Sequence, residues 1–171
     1  MRRWLGWLVA VLSLAGCLPP RPDIVADEPV PLWRLARHGY AIDPALIRSL
    51  DGRRLTIWGY LDVANIAVRR DRFPGLERGW WLPPTAPHPY FDLKSRIDDK
   101  TGESTRVLIV ANEQAFRPFF QRLLTLARRD PPGLRIEVTG TLRPFEAPTN
   151  FHSATGFVVE VDDPAGIRLR R

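Results

Sequence analysis

Two stretches of the chain share one alternating pattern, and they decide how the fold is interpreted. Residues 53–61 read RRLTIWGYL, and residues 135–142 read RIEVTGTL. Each contains an apolar residue, any residue, an apolar residue, any residue, glycine, any residue and leucine. Alternation with a period of two predicts a β-strand, and a glycine inside a strand predicts a bend or a close backbone approach. The two stretches therefore predict two strands of similar geometry.

The shared pattern has two explanations, an internal duplication or two strands that need the same bend. Gly59 and Gly140 stand 81 positions apart, and the segments that follow the two stretches do not resemble each other. We therefore favour shared strand geometry. Trp58 and Tyr60 point away from the apolar face of the first stretch. They either face a ligand or lie beneath a short helix that precedes the strand, and we favour the position beneath the helix.

The rest of the chain predicts three further strands and two helices. We expect strands at about 53–63, 90–97, 105–111, 134–143 and 157–161, a helix over 113–129, and a short helix that begins at Pro44 after an Asp43 cap. This order resembles the OB-fold, a five-stranded Greek-key barrel with a helix between strands three and four. The resemblance covers roughly residues 52–170 and implies a mostly β fold with some α-helix.

The first residues resemble the signal sequence of a bacterial lipoprotein. Arg2 and Arg3 precede an apolar run, and residues 14–17 read LAGC, which resembles a lipobox. The resemblance implies cleavage before Cys17 and a lipid on that residue, which is the only cysteine of the chain. A plain signal peptide or an uncleaved anchor is the alternative.

This interpretation divides the chain into three parts. Residues 1–16 are the signal peptide, residues 17–31 are the lipidated cysteine with a proline-rich tether, and residues 32–171 are a single domain. The lipid attaches the domain to a membrane of the bacterial cell envelope, facing the periplasm. Leu18, which follows the cysteine, favours the outer membrane over the inner one by resemblance to the sorting rule of enteric bacteria.

The charge balance is moderately basic. The chain has 25 Lys and Arg residues against 19 Asp and Glu residues, and Lys94 and Lys100 are its only lysines. Arginine-rich surfaces bind phosphate or carboxylate polymers through planar guanidinium groups. The other interpretation is a solvated arginine-rich surface, which we favour because the arginines are spread along the chain.

The resemblance also places candidate binding residues. OB-folds bind ligands across strands two and three, between the loops that join strands 1–2 and 4–5. Aromatic rings there would stack on bases or sugars, and arginines would hold phosphate or carboxylate groups. The alternative is that the rings seal the ends of the barrel. The candidates are Arg69, Arg70, Trp80, Trp81, His88, Tyr90, Phe145, Asn150, Phe151 and His152.

Catalysis is not expected. The chain has no thiol after Cys17 and no Gly-x-Ser-x-Gly motif, and His38, His88 and His152 lack metal-ligand spacing. We expect neither a metal nor a cofactor. The sequence favours a non-catalytic module that binds a partner protein or assembly of the envelope. The alternatives are binding of an anionic polymer, such as DNA, lipopolysaccharide or a cell-wall glycan, and a hydrolase with an unrecognised site.

Overall fold

The computed structural model describes residues 28–69, 80–82, 88–129, 133–148 and 153–170. These residues form a mostly β structure with a few short helices, which confirms that part of the sequence prediction. The strands are β1 Val30–Pro31, β2 Ala36–Arg37, β3 Tyr40–Ala41, β4 Arg54–Arg69, β5 Trp80–Leu82, β6 Tyr90–Lys94, β7 Ser104–Ile109, β8 Arg135–Pro148, β9 Ser153–Val161 and β10 Ile167–Arg170. The helices are α1 Pro44–Ser49 and α2 Arg117–Arg128, and short 3-10 turns occupy Leu32–Arg34, Glu113–Phe116 and Pro164–Gly166. Neither α-helix has the length and apolar character that crossing a bilayer requires, within the residues described.

Strand β4 is the centre of the sheet. Its alternation buries Leu55, Ile57 and Leu61 and leaves the opposite face half-exposed. The strand pairs with β8 along residues 54–60 and with β6 along residues 60–67. Its pairing register shifts between Asp62 and Ile66, a few residues beyond Gly59, as at a β-bulge or a similar irregularity.

Five strands pair in a closed cycle. β4 pairs with β6, β6 with β7, β9 with β8, and β8 again with β4, all antiparallel. The remaining pair, β7 with β9, is parallel. Helix α2 lies between β7 and β8 in the chain, and β10 extends the sheet along β8. The two stretches with the shared pattern are thus neighbouring strands, with Ile57 opposite Val138.

Gly59 and Gly140 stand where other strands approach closely. A Cβ atom on Gly140 would lie 2.5 Å from the carbonyl oxygen of Glu160. One on Gly59 would lie 2.9 Å from the carbonyl oxygen of Lys94. Neither glycine has a positive φ, so the missing side chain supplies space and not backbone freedom. Shared strand geometry accounts for the pattern without a duplication.

The core lies inside the cycle and beneath α2. Phe120, Leu123 and Leu124 of α2 are buried against it, and Ile47 of α1 is fully buried. Asp43 caps α1 as predicted, since its Oδ1 accepts hydrogen bonds from two backbone amides of the first turn. The second helix was predicted from residue 113, but its first residues form a 3-10 turn and the α-helix begins at Arg117.

Several boundaries differ from the predictions. Val30 and Pro31, which were predicted to belong to a proline-rich tether, pair in parallel with β4. Residues 144–148 and 153–156 were predicted as loop but pair as the ends of β8 and β9. Their sequence does not alternate, because this part of the hairpin exposes both of its faces in places. The lipid site at Cys17 lies outside the described residues.

Candidate functional site

A groove of about 1050 Å³ opens where β4, the β2–β3 hairpin and the connection between β6 and β7 meet. We call it the hairpin groove. Its lining residues are Trp33, Ala36, Arg37, His38, Ile42, Trp58, Tyr60, Ser95, Arg96, Ile97, Asp98, Asp99, Lys100 and Glu103. The groove combines aromatic rings, aliphatic side chains and charges of both signs, which is the composition of a binding surface.

The aromatic wall comes from the outward face of β4. The rings of Trp58 and Tyr60 meet edge to face, with centroids 6.0 Å apart and planes at 85°. Trp33 is 50% exposed at the mouth of the groove, and Ile42 and Ile97 are each 54% exposed. Exposed apolar side chains grouped in one concave surface are typical of an interaction site.

Helix α1 packs on a different part of the sheet. Arg48 of α1 donates hydrogen bonds to Glu146 of β8 and Thr155 of β9. The predicted alternatives for Trp58 and Tyr60 were a ligand-facing position or a place under this helix. Both residues line the open groove and no residue of α1 does, so the favoured position beneath this helix is wrong.

Arginines stack on aromatic rings both at the groove and outside it, where Tyr90 lies. The guanidinium carbon of Arg135 lies 4.0 Å from the ring centroid of Trp58, and that of Arg106 lies 3.8 Å from Tyr90. Arg34 lies 5.6 Å from the ring of Trp33. Such contacts hold the rings in place and bring positive charge beside them.

The carboxylates of the groove already have hydrogen-bond partners. Asp98 Oδ1 accepts from Arg96 Nε at 3.1 Å, and Asp99 Oδ2 accepts from the Arg96 amide at 2.8 Å. Glu103 Oε2 lies 2.8 Å from His38 Nδ1. The hydrogen bond from Arg96 lowers the pKa of Asp98, and the one from His38 lowers the pKa of Glu103. All three carboxylates are therefore engaged within the protein.

The positive charges of the groove are less engaged. Within the described part of the chain, the side chains of Arg37 and Lys100 form no ion pair. Lys94 lies opposite Tyr60 in the β4–β6 pairing. The lining residues carry three basic and three acidic side chains without counting His38, and the basic side chains of Arg37 and Lys100 are the ones without an ion-pair partner among the described residues.

Two buried carboxylates stabilise the strands and the connection beside the groove. Asp62 of β4 and Asp92 of β6 are cross-strand neighbours, 2% and 4% exposed. Asp62 Oδ2 accepts a hydrogen bond from the Gly102 amide at 3.1 Å, which fixes the β6–β7 connection against β4. Burial raises the pKa of Asp92, and this effect exceeds the opposing influence of Arg106. This pair is a structural support of the groove, since each carboxylate is enclosed by its own hydrogen bonds.

The described members of the predicted binding set do not line this groove. Tyr90 lies under Arg106, and Phe145 lies over Gly156 on the neighbouring strand, where its ring fills the space a side chain would occupy. His88 is half-buried ahead of β6, and Arg69 Nε lies 4.0 Å from Glu113. For Trp80 and Trp81 the backbone pairs with the end of β4. The other members, Arg70, Asn150, Phe151 and His152, lie outside the described residues.

The structure also forms a cluster that sequence spacing did not show. His38, Asp99 and Glu103 each offer one ligand-type atom, and these atoms all lie within 4.8 Å of one another. Metal-site motifs are recognised by short intervals between ligands, whereas His38 and Glu103 are 65 positions apart. The absence of metal-ligand spacing around His38 in the sequence is therefore compatible with this cluster, which long-range pairing brings together.

Comparisons with known proteins assign no family. No family model and no curated protein matches the chain. Among solved structures, the chain is similar to one described as "Plasmodium falciparum SSB complex with ssDNA", with 12% identity and a TM-score of 0.35. The match covers 68% of this chain and 91% of that chain. A TM-score this low carries no weight for function, which must follow from the geometry of the chain itself.

Proposed function

We propose that the closed cycle of strands is an OB-fold. Three features support this assignment: the five-strand cycle, the parallel pairing of β7 with β9, and the position of α2 between the third and fourth strands of the cycle. In this reading β4, β6, β7, β8 and β9 are the five barrel strands. The β2–β3 hairpin then contributes a wall of the groove beside these strands.

We propose that the protein is a non-catalytic binding module and that the hairpin groove binds an anionic polymer. One observation carries this proposal: the groove offers aromatic rings beside unpaired cations, while its carboxylates are held by internal hydrogen bonds. Rings such as Trp58 stack on flat groups of a ligand, at about 1–3 kcal/mol per stacked base in proteins that bind single strands. Arg37 and Lys100 would pair with phosphate or carboxylate groups.

A second function, binding of an envelope partner protein, is favoured by a different observation. Ile42 and Ile97 are more than half exposed at the groove, and aliphatic side chains suit an apolar anchor of a protein better than a phosphate backbone. The sequence favoured this function because the net charge is modest. The two functions differ in how binding depends on salt.

Fluorescence anisotropy with the purified protein tests the two functions. The probes are a labelled oligothymidine strand and a labelled heparin fragment. If Arg37 and Lys100 neutralise about two phosphates, affinity for the single strand falls about sevenfold between 50 and 200 mM salt. Trp58→Ala should weaken binding by at least about fivefold, by loss of one stacked ring.

Tyr90→Ala is the matched control, because Tyr90 is also stacked by an arginine but lies outside the groove. Its affinity for the probes should equal that of the unmodified protein. Absence of binding to both polymers at low salt would reject the anionic-polymer proposal. Equal losses in Trp58→Ala and Tyr90→Ala would reject the groove as the site.

We further propose that the protein is anchored by a lipid on Cys17 in a bacterial cell envelope, facing the periplasm and with the outer membrane as the favoured location. The support is the LAGC sequence at residues 14–17 after a charged start and an apolar run. The proline-rich segment before β1 would then set the distance between the groove and the membrane.

A further inference from the structure

The rim of the hairpin groove carries a group of side chains that polymer binding does not use. His38 projects from the turn between β2 and β3, and Asp99 and Glu103 belong to the connection between β6 and β7. Their ligand-type atoms lie within 4.8 Å of one another. The sheet thus brings an imidazole and two carboxylates from two separate segments to one point.

The turn that carries His38 has an unusual backbone. His38 has a φ of 52°, the only positive value of a non-glycine residue in the described chain. Gly39 follows with a φ of 81° and packs against the Ser104 backbone, where a Cβ would lie 3.1 Å from the carbonyl oxygen. Two consecutive left-handed residues aim the imidazole at Glu103.

The donor set matches divalent transition metals. One histidine nitrogen and two carboxylate oxygens bind Zn²⁺ at about 2.0–2.2 Å, which places ligand atoms of one ion about 3–4 Å apart. The three ligand-type atoms lie within 4.8 Å of one another, so binding of an ion would draw them together by up to about 1 Å. The 2.8 Å contact between His38 Nδ1 and Glu103 Oε2 would open slightly as an ion enters. Three protein ligands leave a coordination position for water or another ligand.

We propose that His38, Asp99 and Glu103 form a binding site for a divalent transition-metal ion of the Zn²⁺ class at the rim of the hairpin groove. The ion cancels the two carboxylate charges that face the groove. Its free coordination position accepts an anionic oxygen from the bound polymer, whose other anionic groups pair with Arg37 and Lys100 of the same groove. This last step rests on the proposed function, whereas the metal site itself does not.

Metal binding is tested directly with the purified full chain after treatment with a chelator. Isothermal titration calorimetry with Zn²⁺ should give one ion per chain. Co²⁺ should produce visible absorption bands of a low-symmetry site with nitrogen and oxygen ligands. His38→Ala and Glu103→Gln should each weaken Zn²⁺ binding at least tenfold and remove the Co²⁺ bands.

Two variants serve as controls. Asp98→Asn changes a carboxylate next to Asp99 that the cluster does not include, and His88→Gln removes another histidine. Both should bind Zn²⁺ as the unmodified protein does. Urea unfolding of each variant without metal shows whether a loss of binding comes from a loss of fold. Asp99→Asn is the second ligand variant if Glu103→Gln does not fold.

The outcomes separate the two proposals. Absence of saturable Zn²⁺ binding, or unchanged binding in folded His38→Ala, overturns the metal site even if polymer binding is found. Zn²⁺ binding that is lost in the ligand variants supports the metal site even if no polymer binds. A polymer affinity that does not rise when Zn²⁺ occupies the site overturns the coupling between them.

Discussion

The close approach at Gly140 yields a quantitative prediction about stability. In Gly140→Ala, the new methyl group would lie 2.5 Å from the Glu160 carbonyl oxygen and 2.7 Å from Val159 Cγ1. An ordinary carbon contact is about 3.5–4.0 Å, so β9 or β8 would have to move by about 1 Å. The obstructing atom is a paired backbone carbonyl, which cannot move alone. Overpacking of this kind costs about 1–3 kcal/mol, and we expect the upper end.

The same substitution at two other glycines allows the expected loss of stability to be compared. Gly59→Ala meets the Lys94 carbonyl oxygen at 2.9 Å and should cost about 2 kcal/mol. Gly102 has no atom within 4 Å of the added Cβ, but its φ is +89°. Gly102→Ala should therefore cost about 1 kcal/mol, from backbone strain alone. The expected order of destabilisation is Gly140, Gly59 and then Gly102.

Urea unfolding followed by tryptophan fluorescence measures this order. With a slope of about 2 kcal/mol per molar urea, Gly140→Ala should lower the midpoint by about 1.5 M. The free energy of unfolding of a domain is only about 5–15 kcal/mol, so this loss is large. A Gly140→Ala midpoint equal to that of the unmodified protein would refute the reasoning, as would a larger loss in Gly102→Ala.

Two further predictions concern a buried acid and the N-terminal cysteine. Burial raises the pKa of the Asp92 carboxyl above its ordinary value of 3.8. The contribution of this carboxyl to the free energy of unfolding is therefore present below pH 3.8 and is lost as the pH rises through the raised pKa. Asp92→Asn should therefore gain stability relative to the unmodified protein as pH rises from about 4 to about 7, measured by urea midpoints. If Cys17 carries a lipid, bacterial cells fed an alkyne fatty acid should label the unmodified protein but not Cys17→Ala.

Each of these predictions has a matched control. Asp162 is exposed, and the hydrogen bond from Arg54 lowers its pKa below the ordinary value of 3.8, so its contribution to stability is complete above that value and is lost only as the pH falls further. Asp162→Asn should therefore show no pH-dependent change relative to the unmodified protein between about pH 4 and about pH 7. Equal pH trends in the two variants would contradict the account of Asp92. For the lipid, Leu18→Ala keeps the cysteine and should retain the label. Labelling that persists in Cys17→Ala would place the lipid elsewhere.

The sequence predicts the strands in which one face is buried and the other is more exposed to solvent. Leu55 and Ile57 alternate with half-exposed residues, and Asp43 before Pro44 marks the start of α1. The far ends of β8 and β9 could not be predicted, because their polar and apolar residues do not alternate. They are strands because each supplies the hydrogen-bond partners of the other.

The hairpin groove could be predicted only in part. The sequence identifies Trp58 and Tyr60, because their aromatic rings alternate with the apolar residues of the strand and so lie on its outward face. Arg37 and Glu103 gain their roles from long-range pairing, since the β2–β3 turn meets the β6–β7 connection only in the folded chain. The expected loop site was drawn from the resemblance to OB-folds, and four of its members fall outside the described residues.

The pairing of β4 with β8 has a consequence for how the chain acquires its structure during synthesis. All lining residues of the hairpin groove lie between residues 33 and 103, so they emerge from the ribosome before β8 does. Until then, one edge of β4 has no partner, and unpaired edges favour association between chains. Pairing between strands so distant in sequence also forms slowly. A chain cut before β8 would thus contain every residue of the groove and lack the strand that holds its central wall in place.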